Sequence, residues 1–215
     1  MRTAKSIVDE FEYLTTLGFY HILIIDDTMT ANLHRLNLFL DELIHRNLNV
    51  TWYCESRVDI ITRDMLIKMK AAGLTQIQFG VESGNQDILK SIKKNITLEQ
   101  IRNAFKWCEE IGIIASTNMI IGHPEDTLQT INETILFAQE LQSLGARVSF
   151  TICTPFPGTP IWNIPEEYGL EIIDNDLDHY STQHPVFNTK NLTSTQIRNE
   201  FYRAVKNTSK VRRLK

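Results

Sequence analysis

The sequence has few cysteines, and they lie far apart. Cys54, Cys108 and Cys153 are the three cysteines of the chain. Local metal and redox motifs place two ligands within about five residues, so that one turn can present both. The spacing therefore predicts no such motif. We expect Cys108 to be a core or half-buried thiol on a helix, and Cys54 and Cys153 to pack in strands, although both could face the inside of a barrel.

Long apolar runs, targeting signals and excess positive charge are missing as well. No apolar stretch reaches the roughly 18 residues of a membrane span, and the N-terminus has neither an h-region nor a cleavage site. The net charge of -4 gives no support for a surface that binds nucleic acid. We expect a cytoplasmic protein, and the sequence carries no signal for a nucleic-acid or membrane partner. Its 215 residues, 42% of them hydrophobic, suit one large domain or one domain with a small appendage.

Apolar runs typical of buried strands alternate with helix-like segments. The predicted strands cover residues 19–25, 50–54, 77–81, 115–121 and 147–153. The predicted helices cover residues 5–17, 31–46, 62–72, a segment from about 86, 97–112, 126–144 and 194–209. This alternation indicates an α/β fold with a parallel sheet, in which the strand ends gather on one ligand-binding rim. Five strands are too few to close an eight-strand barrel, so we expect an open or incomplete one.

The composition changes after Pro155. Prolines and Gly158 crowd residues 155–165, which excludes a regular helix or a central strand there. Residues 166–191 are polar and are predicted to be irregular, and a capping box over residues 193–196 begins the last helix. We therefore predict an incomplete barrel core over residues 1–160 and a C-terminal extension with a terminal helix over residues 161–215.

Charged side chains follow the first two predicted strands. Asp26 and Asp27 end the first strand, and because adjacent strand residues face opposite sides, at most one of them points into a barrel while the other can cap the next helix. They could accept a ligand ammonium group or a metal ion, or simply start the helix. Arg57 ends the second strand and offers a planar fork for a carboxylate, or equally a rim ion pair.

The third and fourth predicted strands also end in polar loops. Glu82 lies between two glycines that allow a ligand to approach the backbone, and it could accept two vicinal hydroxyls of a ribose; the alternative is a solvated glutamate in a turn. Freed backbone amides at Gly122 could meet a flat heterocycle. A general-acid role for His123 is conceivable, but a lone loop histidine is expected to be exposed.

In this order the motifs resemble the radical S-adenosylmethionine (radical SAM) superfamily, in particular the group whose members often carry a cobalamin-binding domain. The resemblance extends over roughly residues 5–210. It implies an α/β fold, namely a partial (β/α) TIM-like barrel of the radical SAM type with strand 1 and the cluster loop missing. The segments that carry it are Ile24–Thr28, Cys54–Arg57, Gln78–Gly84, Ile121–Thr127 and Thr154–Pro160.

The same resemblance implies a cofactor site for S-adenosylmethionine. Asp26 and Asp27 occupy the segment that meets the methionine amino group, and Ser56 and Arg57 lie where polar groups approach its carboxylate or the ribose. Glu82 and Ser83 match the strand end that contacts the ribose. Ile121 and Gly122 match the turn that contacts the adenine.

The sequence departs from the family at the iron-sulfur cluster. The family binds a 4Fe-4S cluster through cysteines spaced C-x3-C-x2-C, and this sequence has no such triplet. We therefore expect no cluster on this chain, and we predict neither a catalytic nor a metal-ligating residue. Cobalamin use would depend on a domain that these residues do not include.

Three functional hypotheses follow. The first is a fragment of a radical SAM oxidoreductase or methyltransferase, inactive alone, whose parent cleaves S-adenosylmethionine reductively to a 5'-deoxyadenosyl radical. The second is a cluster-free domain that binds a nucleoside or docks to a partner. The third, a metal-dependent or Schiff-base lyase, is disfavoured because the lysines at 68, 70, 90, 93 and 94 fall in helical or loop segments. We also expect a small-molecule substrate and possible homo-oligomers through the open barrel edge.

Overall fold

The computed structural model describes residues 2–26 and 28–208. The described helices are α1 (Ala4–Thr16), α2 (Leu33–Arg46), α3 (Arg63–Ala71), α4 (Gln86–Ser91), α5 (Leu98–Ile111), α6 (Leu128–Ser143), α7 (Pro160–Asn163) and α8 (Ser194–Thr208). The described strands are β1 (His21–Leu23), β2 (Thr51–Ser56), β3 (Leu74–Glu82), β4 (Ile114–Ile121), β5 (Arg147–Ile152), β6 (Leu170–Ile172) and β7 (Phe187–Thr189).

The first five strands form one sheet in the order β1-β2-β3-β4-β5. His21 of β1 pairs with Thr51 of β2, and Cys54 of β2 pairs with Ile77 of β3, both in parallel register. A strand joined to its neighbour through a helix gives this sequential parallel order. The predicted α/β class with five parallel strands is confirmed. In the sheet order, β1 is an edge strand.

The chain packs as two compact units. Unit 1 comprises Met1–Gly80, Glu99–Thr117 and Leu144–Arg147, and unit 2 comprises Val81–Leu98, Asn118–Ser143 and Val148–Lys215. The boundary at residue 160 that the sequence suggests stays a prediction. No helix within residues 2–26 and 28–208 is both long enough and apolar enough to cross a membrane.

The core of unit 1 is built on aromatic side chains. Phe39 of α2 meets Phe11 of α1 and Trp52 of β2 edge to face, with ring centroids 5.6 and 5.5 Å apart. The buried indole of Trp52 donates a hydrogen bond of 2.7 Å to the carbonyl of Ala72. These contacts bury large apolar surfaces while the one polar atom of the indole keeps a partner. They fix α1, α2 and the end of α3 against the second strand.

The core of unit 2 lies where α6 packs on α8. The side chains of Ile131, Ile135 and Leu141 on α6 are buried, as are Ile197 and Phe201 on α8. Apolar residues at helical spacing on both elements make this a paired amphipathic interface. The C-terminal helix is therefore an integral part of unit 2.

The helix ends follow the capping rules that the sequence carries. The side chains of Asn32, Thr62 and Asn85 accept hydrogen bonds from the first turns of α2, α3 and α4. The capping box at α8 is confirmed in both directions: the N–H of Thr193 donates to Oε1 of Gln196 at 2.9 Å, and the N–H of Gln196 donates to Oγ1 of Thr193 at 3.3 Å.

The prediction for the C-terminal region is wrong in two respects. Residues 166–191 are not wholly irregular, because β6 and β7 form a two-stranded antiparallel sheet that pairs Leu170 with Thr189. A one-turn helix, α7, also begins within the proline-rich stretch. Pro160 occupies its first turn, where a missing N–H is tolerated, and the hydroxyl of Thr159 caps it.

We predict that Thr193→Ala lowers the free energy of unfolding by about 0.5 to 2 kcal/mol, because it removes the side-chain cap of α8. Urea denaturation followed by circular dichroism measures the change. Thr193→Ser keeps the hydroxyl and is the matched control. Equal stabilities of Thr193→Ala and the wild type would show that the cap does not hold this helix in place.

Candidate functional site

In unit 1, Asp26 follows β1 and is held by its own neighbours. Its Oδ1 accepts the N–H of Thr28 at 3.2 Å, and its Oδ2 lies 3.4 Å from a guanidinium nitrogen of Arg35 on α2. Helix α2 is capped by Asn32, so Asp26 does not cap it. Asp27 lies outside the described residues. Asp26 is half-buried, and its contact with Arg35 orients the carboxylate.

At the end of β2, Ser56 is buried and the side chain of Arg57 is partly exposed. The hydroxyl of Ser56 is buried and lies 2.6 Å from the hydroxyl of Thr30. The guanidinium of Arg57 donates two hydrogen bonds to the carboxylate of Asp59, from Nε to Oδ1 at 3.0 Å and from Nη2 to Oδ2 at 2.9 Å. Of the two interpretations open from the sequence, the structure thus contains the rim ion pair. The role of both residues in cofactor binding stays a prediction.

One face of β2 and β3 in unit 1 is polar. Trp52, Cys54 and Ser56 are buried on one face of β2, whereas Tyr53 and Glu55 alternate with them and are half-buried. Gln78 of β3 joins these two: it accepts the hydroxyl of Tyr53 at 3.0 Å and donates to Glu55 at 3.3 Å. Burial, with a contribution from Glu55, raises the pKa of Tyr53. This face offers a neutral phenol, an amide and a carboxylate to a ligand.

In unit 2, Glu82 ends β3 in a strained backbone conformation. Its φ of 72° lies in the left-handed region, which costs on the order of 1 kcal/mol or more for a residue with a side chain. Its Oε1 accepts a hydrogen bond of 2.7 Å from the ammonium group of Lys94. Lys94 lies in a loop, as predicted, yet its ammonium group contacts the last residue of β3. The carboxylate is about one fifth exposed, so it is oriented but still open to a ligand.

Ser83 and Gly84, which follow Glu82, are anchored on α6. The hydroxyl of Thr134 is 3.1 Å from that of Ser83 and accepts the N–H of Gly84 at 3.1 Å. A Cβ at Gly84 would lie 2.5 Å from the Cβ of Phe137, so a larger residue does not fit without movement. Ser83 is buried in this contact. The turn that carries Glu82 is therefore tied to a helix that lies outside the sheet.

The turn after β4 is built on a buried carboxylate. Asp126 Oδ2 accepts the N–H groups of Gly122 and His123 at 3.0 and 2.9 Å, and its Oδ1 accepts the hydroxyl of Thr130 at 2.7 Å. Burial raises the pKa of Asp126 to about 6, although these three hydrogen bonds act in the opposite direction. The expectation of a freed amide at Gly122 is wrong, because Asp126 occupies it. Ile121 is buried, and its carbonyl accepts the N–H of Cys153 at 2.8 Å.

His123 is buried, so the expectation of an exposed loop histidine is wrong. It lines a cavity of about 620 Å³ in unit 2, whose wall also includes Cys153, Ile161, Tyr168 and Lys190. Its Nε2 has no hydrogen-bond partner among the described residues. Burial lowers the pKa of His123 to about 4, so the imidazole is neutral near pH 7. A neutral, unpaired ring nitrogen beside a cavity can accept or donate one hydrogen bond to a ligand.

The family model described as the Radical SAM superfamily matches residues 1–138, which is more than half of the chain. The chain belongs to the radical SAM superfamily. An uncharacterized methyltransferase of Pyrococcus horikoshii is 32% identical over 196 residues, which cover 91% of this chain and 42% of that relative. An anaerobic magnesium-protoporphyrin IX monomethyl ester cyclase of Rubrivivax gelatinosus is 29% identical over 191 residues, which cover 86% of this chain and 33% of that relative.

A solved structure shows the same fold. It is the radical SAM methyltransferase TsrM of Kitasatospora setae, with cobalamin and a 4Fe-4S cluster bound. The TM-score is 0.68 at 21% identity, and the match covers 82% of this chain and 35% of that protein. The fold is thus a partial (β/α) barrel of the radical SAM type. The chain spans less than half the length of each of these proteins.

The three cysteines of this radical SAM chain do not form the C-x3-C-x2-C triplet. Cluster iron is held by thiolates. Burial raises the pKa of Cys54, Cys108 and Cys153 to about 12, so each thiol is protonated near pH 7. Cys54 and Cys108 are fully buried, as expected, and Cys153 is partly exposed.

Several site residues were not found from the sequence. Thr134 and Lys94 come from segments whose positions beside the end of β3 depend on tertiary packing, and the role of Gln78 depends on its pairing with Glu55 across β2 and β3. Asp126 had a local signal, because the side chain of an Asp in a loop commonly accepts neighbouring backbone N–H groups. The alternation of Tyr53 and Glu55 with buried neighbours was a second usable signal.

We predict that acid destabilises the protein in part through His123. Its pKa is about 4 in the folded state and 6.5 when unperturbed. Between these values the unfolded state binds more protons, so this contribution to stability is lost as the pH falls from about 6.5 to 4. Asp126, with its raised pKa, acts in the opposite direction below about pH 6.

The comparison of wild type with His123→Gln isolates the histidine, because Asp126 is present in both. Urea denaturation at pH 7 and pH 5 should show a larger loss of unfolding free energy in the wild type. Nuclear magnetic resonance of the ring protons should give His123 a midpoint near pH 4. A midpoint near 6.5 would mean that the ring is solvated.

Proposed function

We propose that these residues form the part of a radical SAM enzyme that binds S-adenosylmethionine and lack the part that reduces it. S-adenosylmethionine, once reductively cleaved, supplies a 5'-deoxyadenosyl radical for hydrogen abstraction from, or methylation of, an unreactive carbon. The relatives, a methyltransferase and a cyclase of a porphyrin ester, support chemistry of this kind on a small organic molecule. The chain alone is proposed to be inactive.

The observation that carries the proposal is the construction of the β3 end. Glu82 is held in a left-handed conformation, oriented by Lys94 and followed by a turn that Thr134 anchors. Strain maintained by surrounding contacts is typical of ligand sites. A partly exposed carboxylate in such a position suits the two vicinal hydroxyls of a ribose. Glu82 and Ser83 are therefore proposed as ribose contacts, with Ile121 and Gly122 near the adenine.

The residues of unit 1 are proposed to contact the methionine end of the cofactor. Asp26 would accept the amino group, and Ser56 and Arg57 would approach the carboxylate or ribose. Arg57 would have to leave Asp59 to do so, which an exposed ion pair of small net free energy permits. The polar face with Tyr53, Glu55 and Gln78 offers further groups for a ligand.

The edge of the sheet supports a cluster-bearing segment outside residues 1–215. Beside β1 lies a groove of about 630 Å³, lined by apolar side chains of α1 and β1 that include Phe11, Leu14 and Ile22. Ile25, just after β1, is 92% exposed. An apolar edge of this kind suits the addition of another strand. We propose that a strand preceding the C-x3-C-x2-C cysteines pairs here in the complete enzyme.

A cluster-free domain that binds a nucleoside or docks to a partner is the second candidate. The lack of a C-x3-C-x2-C triplet in these 215 residues favours it, because a cluster-free domain needs no electron source. The two candidates differ in whether supplying the cluster-bearing segment restores reductive cleavage of S-adenosylmethionine.

We predict that anaerobic treatment of this chain with iron and sulfide yields no stoichiometric 4Fe-4S cluster, because its three cysteines are far apart in the sequence and form no C-x3-C-x2-C triplet. Visible absorption and analysis of iron and sulfide per chain measure the outcome. A radical SAM protein that contains C-x3-C-x2-C, treated in parallel, is the positive control. One cluster per chain would disprove the ligand argument.

We predict that Glu82→Ala weakens the binding of S-adenosylmethionine by about 1 to 3 kcal/mol, or roughly 5- to 150-fold in Kd, because two hydroxyls lose their acceptor. Equilibrium dialysis with labelled S-adenosylmethionine measures Kd. Glu99→Ala, at an exposed position on α5, is the matched control and should bind like the wild type. Unchanged binding by Glu82→Ala would remove the ribose assignment, and no binding by the wild type would remove the nucleoside site.

A further inference from the structure

Two histidines and an aspartate come together in the segment between β6 and β7. One ligand atom each from Asp174, His179 and His184 lie within 4.8 Å of one another. Asp174 Oδ2 is 2.7 Å from Nδ1 of His179 and 4.0 Å from Nε2 of His184. Two imidazoles and one carboxylate are a donor set that suits zinc and other divalent transition metals.

We propose that Asp174, His179 and His184 bind one divalent transition-metal ion of the zinc type. A tetrahedral ion with bonds of about 2.0 to 2.1 Å holds its ligand atoms roughly 3.3 Å apart. The separations of 2.7 and 4.0 Å lie on either side of that value. Binding of an ion at this site requires small rotations, chiefly of the two half-exposed imidazoles.

The surroundings of Asp174 orient it for this role. Its Oδ1 accepts the N–H of Asp176 at 3.0 Å, which turns Oδ2 toward the two rings. Its carbonyl accepts the hydroxyl of Tyr180 at 3.0 Å, and its N–H donates to the carbonyl of Val186 at 3.3 Å. Hydrogen bonds that fix a ligating carboxylate are a general feature of metal sites.

The same segment is anchored and yet accessible. Tyr180 packs edge to face on Trp162, with ring centroids 5.1 Å apart, and β6 pairs with β7 on either side of the segment. The side chains of His179 and His184 are about half exposed. Three protein ligands and an open side give an ion a path of entry and leave a coordination position for water. The site uses no residue of the proposed cofactor site.

The test is titration of the untagged chain with Co²⁺ and with Zn²⁺, followed by visible absorption and by calorimetry. We expect one ion per chain and ligand-field bands of Co²⁺ without thiolate charge-transfer bands, since no cysteine is among the proposed ligands. His179→Ala, His184→Ala and Asp174→Asn should each weaken binding at least tenfold. His34→Ala, an exposed histidine on α2, is the matched control and should bind like the wild type.

Binding that survives His179→Ala and His184→Ala, thiolate bands, or the absence of binding by the wild type would each overturn the site. Circular dichroism of the three variants checks that they fold. Zn²⁺ should also raise the thermal midpoint of the wild type but leave that of His184→Ala unchanged, and equal shifts in both would contradict the proposal.

Discussion

Every strand of a parallel sheet must bury one face under helices, and this constraint determines which side chains remain for chemistry. In β2 the buried face holds Trp52, Cys54 and Ser56, so the thiol of Cys54 is packed in the core. The alternate positions, Tyr53 and Glu55, stay half-buried and form hydrogen bonds with Gln78. A polar layer thus arises beside an apolar one from period-two alternation alone. That division sets which side chains this partial radical SAM barrel offers for chemistry.

The turn after β4 shows how a loop is held without regular structure. Asp126 gathers two backbone N–H groups and one hydroxyl around a single buried carboxylate. The side chain of Asn191, from the segment before α8, donates to the carbonyl of Asp126 at 3.2 Å, and Lys190 pairs with Glu125 at 2.6 Å. The loop is therefore fixed from within and from the C-terminal segment. Rigid placement of this kind is what a small-molecule site needs.

Sequence reasoning recovered the features that short-range pattern determines. Helix α3 begins after Thr62 and stops before Gly73, as its cap and stop residues indicate, and the box at Thr193 marks the start of α8. It missed β6 and β7, because three-residue strands exist only through their pairing. It also missed the burial of His123 and the pairing of Lys94 with Glu82, since both depend on segments that meet only in the folded chain. The family resemblance, carried by five motifs in order, supplied the barrel type that periodicity alone left open.

The loop after β4 lies so close to α8 at Gly122 that there is little room for a side chain. The φ of Gly122 is 85°, and a Cβ there would lie 3.0 Å from Cγ2 of Ile197 on α8. A side chain at 122 would thus meet both an unfavourable backbone angle and a crowded neighbour. A smaller side chain at position 197 would relieve the crowding but not the unfavourable backbone angle. Gly122 thus sets how closely α8 can approach the loop after β4.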